Sequence, residues 1–545
     1  MSNERNRGFL KRAIMLCALA YASHWVRPYT AYEELSIYIY CLWAVTLIGG
    51  LSYLKDILFY LPIWFAHRRV MRATGEQGTA HFASKKHLKA AGYLRRKGFY
   101  IGLAHQEPMF VEIESNGLVL APAGAGKGQK FGLPNALYNP LPMIISDVKG
   151  ANAAVSAKVR AKKLGHKVFC INPAKIFEKQ IGASACYNPL LIIEQNWADP
   201  NRHPYLLDDV RDLAKQLITE PENSGENQFF RNGSRKLISF AIVYLVTRDG
   251  KVTLSDALAL ISDMTELETS LHLARASGAL NGDLSRMAKD MLGKFEDGDR
   301  KQLESFREGA LQALEAFSPS GALAASTSRS DFSFADLRKG KVSVYIICDP
   351  TNAEVYQGWL GLVMKAALKE LMRAPDGEPV CFMLDEATNF KVEGLPKLLT
   401  SAREFKLRMW IVVQEIEMFT EVYGKAGKDA LLSQTEVKIV FGTRSYDTAK
   451  YFSDYCGTTS YRETSFQTGR DNRDQITRSV AEKTRPLLLP EEVMGLKHML
   501  VLTDKAPPAL VEGVGYNQIW PLQKWAEPNP YFGKKRFKGK IRIRL

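Results

Sequence analysis

One short stretch, "APAGAGKGQK" at residues 121–130, constrains the fold of this 545-residue chain more than any other. An apolar run, "GLVLAP", precedes it and a helical pattern, "FGLPNALY", follows it, so the sequence predicts a strand, a glycine loop and a helix in succession. In that context glycines let main-chain N–H groups face phosphate oxygens, and a lysine supplies a point charge to the outer phosphates. The stretch therefore predicts a phosphate-binding loop, with a glycine turn that binds no ligand as the alternative.

The loop departs from the usual phosphate-loop pattern at both ends. Ala121 replaces the first glycine, and Gly128 stands where a serine or threonine hydroxyl usually contacts Mg²⁺, while Gly124, Gly126 and Lys127 keep the pattern. We interpret the loop as a nucleotide site whose hold on the metal is weaker, because one hydroxyl ligand is missing. Mg²⁺ can still bind there, since octahedral Mg²⁺ accepts phosphate oxygens and water as ligands. The residues expected to surround the nucleotide are Ala123, Gly124, Ala125, Gly126, Lys127, Gly128 and Gln129.

A second pattern supports the first. "VCFMLDEA", residues 380–387, is an apolar strand that ends in two carboxylates, the form of a Walker B element. Asp385 can hold Mg²⁺, directly or through water, and Glu386 can polarise the water that attacks the outermost phosphate. Taken alone, an Asp-Glu pair after a strand can equally be a solvated helix cap. Together with Lys127 it indicates an ATPase site with ATP and Mg²⁺ as the expected ligands.

Alternating apolar runs and helical patterns begin after residue 72 and predict a parallel α/β sheet. Further strands are expected at 142–147, 167–173, 342–348, 379–386, 407–415 and 437–443. Between 196 and 318 only helical periodicity remains, and the polar segment 461–484 is interpreted as a loop. The expected divisions are a membrane region at 1–72, a first part of the nucleotide-binding domain at 73–195, an all-α insertion at 196–318, and a second part with a basic tail at 319–545.

The N-terminal region predicts membrane helices. Residues 35–54 are 20 uncharged, mostly apolar residues, which is enough for a helix to cross a bilayer core. A shorter apolar run covers 13–26; basic residues flank the pair, and Glu33 and Glu34 lie in the connector. The positive-inside rule then places both ends in the cytoplasm. We expect a transmembrane helical hairpin, with a single span as the alternative, and the bulk of the chain in the cytoplasm.

The charge of the chain favours a polyanionic partner. Its formal net charge is +15 and its pI is about 9.3, which suits nucleic acid or the inner face of a membrane, although a basic surface without either partner is the alternative. Basic clusters lie at 85–98 and 534–545 and can bind phosphate backbones or anionic lipid. The seven cysteines show no paired framework, so we expect them to be reduced.

The chain resembles the coupling proteins of type IV secretion and conjugation systems, the TraG/TraD-like membrane ATPases. The resemblance runs nearly end to end and includes segments unrelated to ATP binding in general. Besides the double span and the glycine loop, the matching segments are "GTAHFASKKHLKAAGYLRRKGFYIGLA" (78–104), "IISDVKG" (144–150), "NQFFRNGSRKLI" (227–238), "MLDEATNF" (383–390), "SAREFKLRMWIVVQEI" (401–416) and "RPLLLPEEVMGL" (485–496). It implies a RecA-like P-loop nucleotide-binding domain interrupted by an all-α domain, assembled as a homo-hexamer on the bacterial inner membrane.

The resemblance also assigns roles to two further residues. Arg403 matches an arginine, on the helix after the Walker B strand, that reaches the ATP of the neighbouring subunit; without the resemblance it is an exposed helix cation. Gln414 matches a polar sensor of the γ-phosphate, and its alternative is a surface residue at a strand end. The candidate catalytic residues are therefore Lys127, Glu386, Arg403 and Gln414, and Asp385 is the candidate metal ligand.

The implied function is a coupling ATPase that recruits its cargo and drives it toward a secretion channel. The implied partners are single-stranded, relaxase-bound DNA, relaxase or effector proteins, channel components and the membrane. Two other functions stay open: a nucleotide-dependent docking receptor with little hydrolysis, which Gly128 favours, and a DNA translocase of the FtsK/HerA type, which predicts dependence on duplex DNA.

Overall fold

The computed structural model describes residues 78–220, 227–296, 300–468, 476–533 and 541–542, together with five helical residues between 40 and 47. The predicted membrane helices at 13–26 and 35–54 lie outside this part apart from those five residues, as does nearly all of the basic tail. Within the described residues, no helix has the length and apolar character that crossing a membrane requires. The chain divides into two compact units, one of Ala80–Gly457 with Pro486–Leu545 and one of Met1–Thr79 with Thr458–Arg485.

Most of the described strands belong to the larger unit. In chain order they are β1 (Phe99–Ala104), β2 (Glu107–Val111), β3 (Asn116–Leu120), β4 (Met143–Asp147), β5 (Lys167–Ile171), β6 (Val342–Ile347), β7 (Val380–Leu384), β8 (Leu407–Val413), β9 (Thr435–Val440), β10 (Thr458–Thr468), β11 (Ile476–Pro486), β12 (Met499–Thr503), β13 (Ala506–Val511), β14 (Ile519–Trp520) and β15 (Ile541–Arg542). Nine of them form one sheet in the order β13-β12-β9-β3-β8-β7-β4-β6-β5.

Seven neighbouring strands of this sheet, from β9 to β5, are parallel, and β12 and β13 add an antiparallel edge. The carboxyl ends of β3, β8, β7 and β4 therefore meet at one edge, in that order. In open parallel sheets, ligands bind in the crevice outside the carboxyl ends of the strands. The order places β8 between the strand of the glycine loop and the strand of the Walker B carboxylates.

The helices cover the sheet and fill the long interval between β5 and β6. They are α1 (Lys85–Ala90), α2 (Leu133–Tyr138), α3 (Ala151–Lys162), α4 (Glu178–Ile181), α5 (Leu191–Ala198), α6 (His203–Leu217), α7 (Gln228–Asp249), α8 (Leu254–Ser262), α9 (Met264–Arg275), α10 (Asp283–Glu296), α11 (Arg300–Leu314), α12 (Ala322–Ser326), α13 (Ala353–Arg373), α14 (Leu395–Ser401), α15 (Glu417–Ser433), α16 (Tyr446–Cys456), α17 (Pro490–Met494) and α18 (Leu522–Trp525). The described residues between β5 and β6 contain helices and no strand.

The central strands are buried on both faces. Ile144 of β4 and Leu118 of β3 lie in one apolar core, whereas Ile145 and Val119, the next residues along, lie in the other. Strands buried on both sides read as continuous apolar runs, which explains why the sequence predicted β4 and β6 to β9 correctly. The first core extends into the helical stretch, where Ile242 of α7 belongs to it. The helices after β5 therefore share one core with a face of the sheet.

The structure differs from the sequence prediction in two parts of the chain. The antiparallel strands β1, β2, β12 and β13 were not predicted, because short strands joined by tight turns leave little periodic pattern. The segment 461–484 was predicted as a loop, and this was wrong: in the smaller unit β10 and β11 pair as a two-stranded sheet. Its threonine-rich sequence has strand propensity without an apolar run, and a two-stranded ribbon does not need an apolar face to form its ladder.

Candidate active site

The glycine loop leaves the carboxyl end of β3 in the middle of the parallel sheet. The main-chain N–H of Ala121 donates to the carbonyl of Val413 over 3.0 Å, so the loop begins as an extension of the ladder with β8. Gly124 and Gly126 have φ angles of +85° and +86°, a region that only glycine enters without strain. A single π-helical turn, Gly128–Gly132, then leads into α2. Strand, loop and helix follow one another as predicted.

The loop is open to a ligand. Ala123 and Gly124 are exposed, and the other predicted binding residues, Ala125 to Gln129, are half-buried. A Cβ atom built on Gly128 would have no neighbour within 4 Å. The backbone therefore leaves room for a serine or threonine at this position. Steric crowding is not the reason that the hydroxyl is missing.

The Walker B carboxylates lie beside the loop lysine. Asp385 and Glu386 follow β7 directly, and the Nζ atom of Lys127 lies 3.5 Å from Oδ1 of Asp385 and 3.5 Å from Oε1 of Glu386. The side chain of Asn389 donates a 2.9 Å hydrogen bond to Oε2 of Glu386 and so fixes the carboxylate plane. The structure therefore brings together the three residues that the two sequence patterns placed far apart. Asn389 was not predicted, since an asparagine in a loop carries no distinctive signal.

The environment of Asp385 suits a hard cation. Burial raises the pKa of Asp385, the positive charge of Lys127 lowers it, and the neighbouring Glu386 raises it further. Its Oδ1 atom is shielded from solvent and lies 3.5 Å from the Lys127 ammonium, its ion-pair partner. Those residues contain no group of three or more histidine, cysteine or acidic side chains that could hold a metal. A single carboxylate with nucleotide phosphates and water is a donor set that Mg²⁺ accepts.

Another buried carboxylate lies on the neighbouring strand. Oδ2 of Asp147, the last residue of β4, accepts a 2.7 Å hydrogen bond from the N–H of Ala153 in the first turn of α3. Burial raises the pKa of Asp147 to about 7, and the charge of Asp385 contributes to the same shift. The preceding residue, Ser146, donates from Oγ to the carbonyl of Asp385 over 3.1 Å. The end of β4 thus supports the Walker B turn, a role that the sequence prediction did not include.

The two residues assigned by resemblance lie at opposite edges of the sheet. Gln414 follows β8 directly, so it leaves the sheet between the loop strand and the Walker B strand. Arg403 lies in the turn between α14 and β8, at the amino edge, and not on the predicted helix, because α14 ends at Ser401. It is exposed and forms an ion pair with Glu114, which precedes β3. Arg403 is therefore remote from the glycine loop of its own chain.

The segment after the Walker B carboxylates is held by the helical stretch. Gln216 of α6 donates from Nε2 to the carbonyl of Lys391 and accepts at Oε1 from the N–H of Glu393, both over 2.7 Å. A Cβ atom on Gly361 of α13 would lie 2.3 Å from the Lys391 carbonyl, so only glycine allows this approach. Asn389, which holds Glu386, lies two residues before Lys391. Main-chain contacts therefore connect α6 with the segment that carries the carboxylates.

Known proteins resemble the chain over most of its length. The protein VirD4 of Rhizobium rhizogenes is 30% identical over 491 residues, which are 84% of this chain and 69% of that protein. VirD4 of Rhizobium radiobacter is 29% identical over 466 residues, 82% of this chain and 64% of that protein. The matched part of this chain thus spans about two thirds of the length of these relatives.

A solved structure has a similar fold, and a family model matches most of the chain. The plasmid coupling protein TrwB in complex with ADP and Mg²⁺ has a similar fold, with a TM-score of 0.55 at 14% identity over 80% of this chain and 94% of that one. This likeness confirms the predicted α/β, RecA-like fold of a coupling protein. The model of the family described as type IV secretory system conjugative DNA transfer matches residues 77–521. The chain therefore belongs to the type IV secretory system conjugative DNA transfer family.

Proposed function

We propose that the chain is an inner-membrane coupling ATPase of a type IV secretion or conjugation system. It receives relaxase-bound DNA or an effector protein and uses ATP to deliver this cargo to the secretion channel. The observation that carries the proposal is the position of Lys127 within 3.5 Å of both Asp385 and Glu386, beside the glycine loop. The match to a conjugative DNA transfer family and the VirD4 relatives support the transport role.

ATP with Mg²⁺ is the ligand that fits the loop. TrwB, which shares the fold, was solved with ADP and Mg²⁺. The amides of the loop and the Lys127 ammonium bind the phosphates, and Asp385 holds the metal, whose charge neutralises the phosphate oxygens when it is bound. Lys127 therefore exchanges its two carboxylate partners for phosphate when nucleotide enters.

Hydrolysis depends on the second carboxylate and its neighbours. Glu386 polarises the attacking water and accepts its proton at Oε1, while the hydrogen bond from Asn389 keeps Oε2 in place. Gln414, which leaves the sheet between the loop and the carboxylates, contacts the outermost phosphate. These roles make Glu386 necessary for turnover and not for nucleotide binding.

A ring of subunits explains the position of Arg403. The residue lies at the amino edge of the sheet, remote from the loop of its own chain, so it acts on the nucleotide of the next subunit in a homo-hexamer. Mixing two inactive variants tests this. Assemblies that contain Arg403→Ala and Lys127→Ala subunits should regain turnover, because some interfaces then combine an intact loop with an intact arginine. Equal inactivity of the mixture and the separate variants, with assembly verified, contradicts the proposal.

The membrane anchor completes the proposal. The transmembrane hairpin within 1–72 attaches the protein to the inner membrane, and the nucleotide-binding parts at 73–195 and 319–545, with the all-α domain at 196–318 between them, lie in the cytoplasm. The basic cluster at 85–98 follows the hairpin, so anionic lipid is at least as good a partner for it as DNA. The net charge of +15 suits both.

The first experiment measures steady-state ATP turnover of the full-length protein in detergent, with and without single- and double-stranded DNA, beside Lys127→Ala. We expect turnover that single-stranded DNA stimulates and that the variant lacks. Transfer of cargo in cells is then compared between the wild type and Glu386→Gln, and we expect transfer to be lost.

Other outcomes identify the other functions. Unchanged cargo transfer in Glu386→Gln, in a protein that still binds nucleotide, would show a docking receptor, which the missing hydroxyl at Gly128 favours. Turnover that depends strongly on duplex DNA, with no need for a secretion channel, would show a translocase of the FtsK/HerA type.

A further inference from the structure

We propose that Lys130, the second lysine of the glycine loop, is a positioning residue that holds the loop in its phosphate-binding shape. The inference rests on the proposed binding of a nucleotide by this loop and assigns to Lys130 a role distinct from that of Lys127. Lys130 lies in the π-helical turn Gly128–Gly132, so it follows the loop and faces back onto it.

Lys130 makes two hydrogen bonds to consecutive peptide groups of the loop. Its Nζ donates to the carbonyl of Ala125 over 3.1 Å, and its main-chain N–H donates to the carbonyl of Gly126 over 2.9 Å. In a trans peptide the carbonyl and the following N–H point in opposite directions. Because both carbonyls face Lys130, the N–H groups of Gly126 and Lys127 point away from it, toward the open side of the loop where phosphate binds.

The fold provides a slot for this side chain. A Cβ atom on Gly513, which follows β13, would lie 2.9 Å from Cδ of Lys130, and one on Gly126 would lie 3.4 Å from its Cε. The ammonium also lies 5.7 Å from the centre of the Phe441 ring, after β9. Among the described residues no carboxylate forms an ion pair with Lys130. Its ammonium is therefore held by a loop carbonyl and an aromatic face, as expected for a group that fixes the backbone.

The contrasting role is direct contact between the Lys130 ammonium and a phosphate. The two roles predict different behaviour of the nucleotide-free protein. A positioning residue already holds the loop in shape there, whereas a residue that only contacts phosphate has no effect on the loop until nucleotide binds. They also differ for Gly513→Ala, which displaces the Lys130 side chain from its slot but leaves its charge in the loop.

The test uses full-length protein in detergent and the variants Lys130→Met and Gly513→Ala, with the exposed Lys162→Met on α3 as the matched control. Three quantities are measured: the Kd of MgADP, the kcat and KM of ATP turnover, and amide hydrogen exchange of peptides covering 121–130 without nucleotide. Losing a hydrogen bond from a charged donor should weaken MgADP binding about tenfold. We expect both variants to show this loss, faster exchange of the loop, and a larger change in KM than in kcat.

The inference is overturned if Lys130→Met weakens MgADP binding while loop exchange stays at the wild-type rate and Gly513→Ala behaves as wild type. Wild-type affinity and exchange in Lys130→Met also overturn it. If the wild-type protein does not bind MgADP, the proposed function fails, and the exchange rates alone then decide whether Lys130 shapes the loop.

Discussion

Replacing Glu386 by glutamine should have two opposite effects on the nucleotide site. Turnover should fall about 10²- to 10⁴-fold, the usual contribution of a general base. Nucleotide affinity should rise, because Glu386 is one of the two carboxylates that hold Lys127 before nucleotide binds. The variant keeps the shape of the side chain and its amide can still accept from Asn389, so the change is mainly one of charge.

The expected gain in affinity follows from the geometry. Two unit charges 3.5 Å apart attract by about 5 kcal/mol at an effective dielectric constant of 20. The solvation that both groups regain when they separate offsets most of this attraction, and pairs with some solvent access contribute about 1 kcal/mol or less. The side chains of Lys127 and Glu386 are each 17% exposed, so we take about 1 kcal/mol. The Kd of MgADP should therefore decrease about fivefold.

The assay titrates MgADP into the wild type, Glu386→Gln and Glu268→Gln, all as full-length protein in detergent. Glu268 is an exposed glutamate on α9, so the control makes the same chemical change far from the site. The reasoning is refuted if Glu386→Gln binds MgADP no more tightly than the control. Retained ATP turnover in Glu386→Gln would separately remove the assignment of Glu386 as the general base.

Three further predictions follow from buried contacts. Arg160→Met should lower the free energy of unfolding by roughly 4 kcal/mol, which a lower thermal unfolding midpoint would show. The fully buried guanidinium donates to three main-chain carbonyls around the end of α2, and the substitution leaves each of them without this donor. Asp147 has a folded pKa of about 7 against about 3.9 unfolded, so the native state binds more protons and stability falls as pH rises between these values. Unfolding midpoints at pH 5 and pH 8 in EDTA should therefore differ less in Asp147→Asn than in the wild type. Gly361→Ala should displace the Lys391 carbonyl and lower kcat for ATP more than MgADP affinity; unchanged kcat would contradict it.

The central sheet and the chemical centre of the site were predictable because their signals are local. Strands buried on both faces are apolar runs, and the glycine loop and the Asp385-Glu386 pair each stand at the end of one such run. Parallel strands bring their carboxyl ends to one edge, so the meeting of Lys127 with both carboxylates followed from the fold class. The resemblance placed Gln414 at the same edge.

The supporting residues were not predictable because their partners are distant in the chain. Lys130 has its slot only because Gly513 lies beside it, nearly four hundred positions later. The polar strands β10 and β11 depend on pairing with each other and not on an apolar face, so the pattern that identified the central strands missed them. Arg403 was assigned by resemblance, and its proposed role involves a neighbouring subunit, which a single chain does not contain.

The contacts between Gln216 and the segment after Glu386 carry a consequence for the evolution of this family. In these contacts the segment contributes main-chain groups of Lys391 and Glu393, so the hydrogen bonds to Gln216 do not depend on which side chains these two residues carry. The constraint falls instead on the amide side chain of Gln216 and on the absence of a side chain at Gly361. A survey of related sequences should therefore find little variation at these two positions, on α6 and α13, although neither belongs to the predicted nucleotide-binding residues.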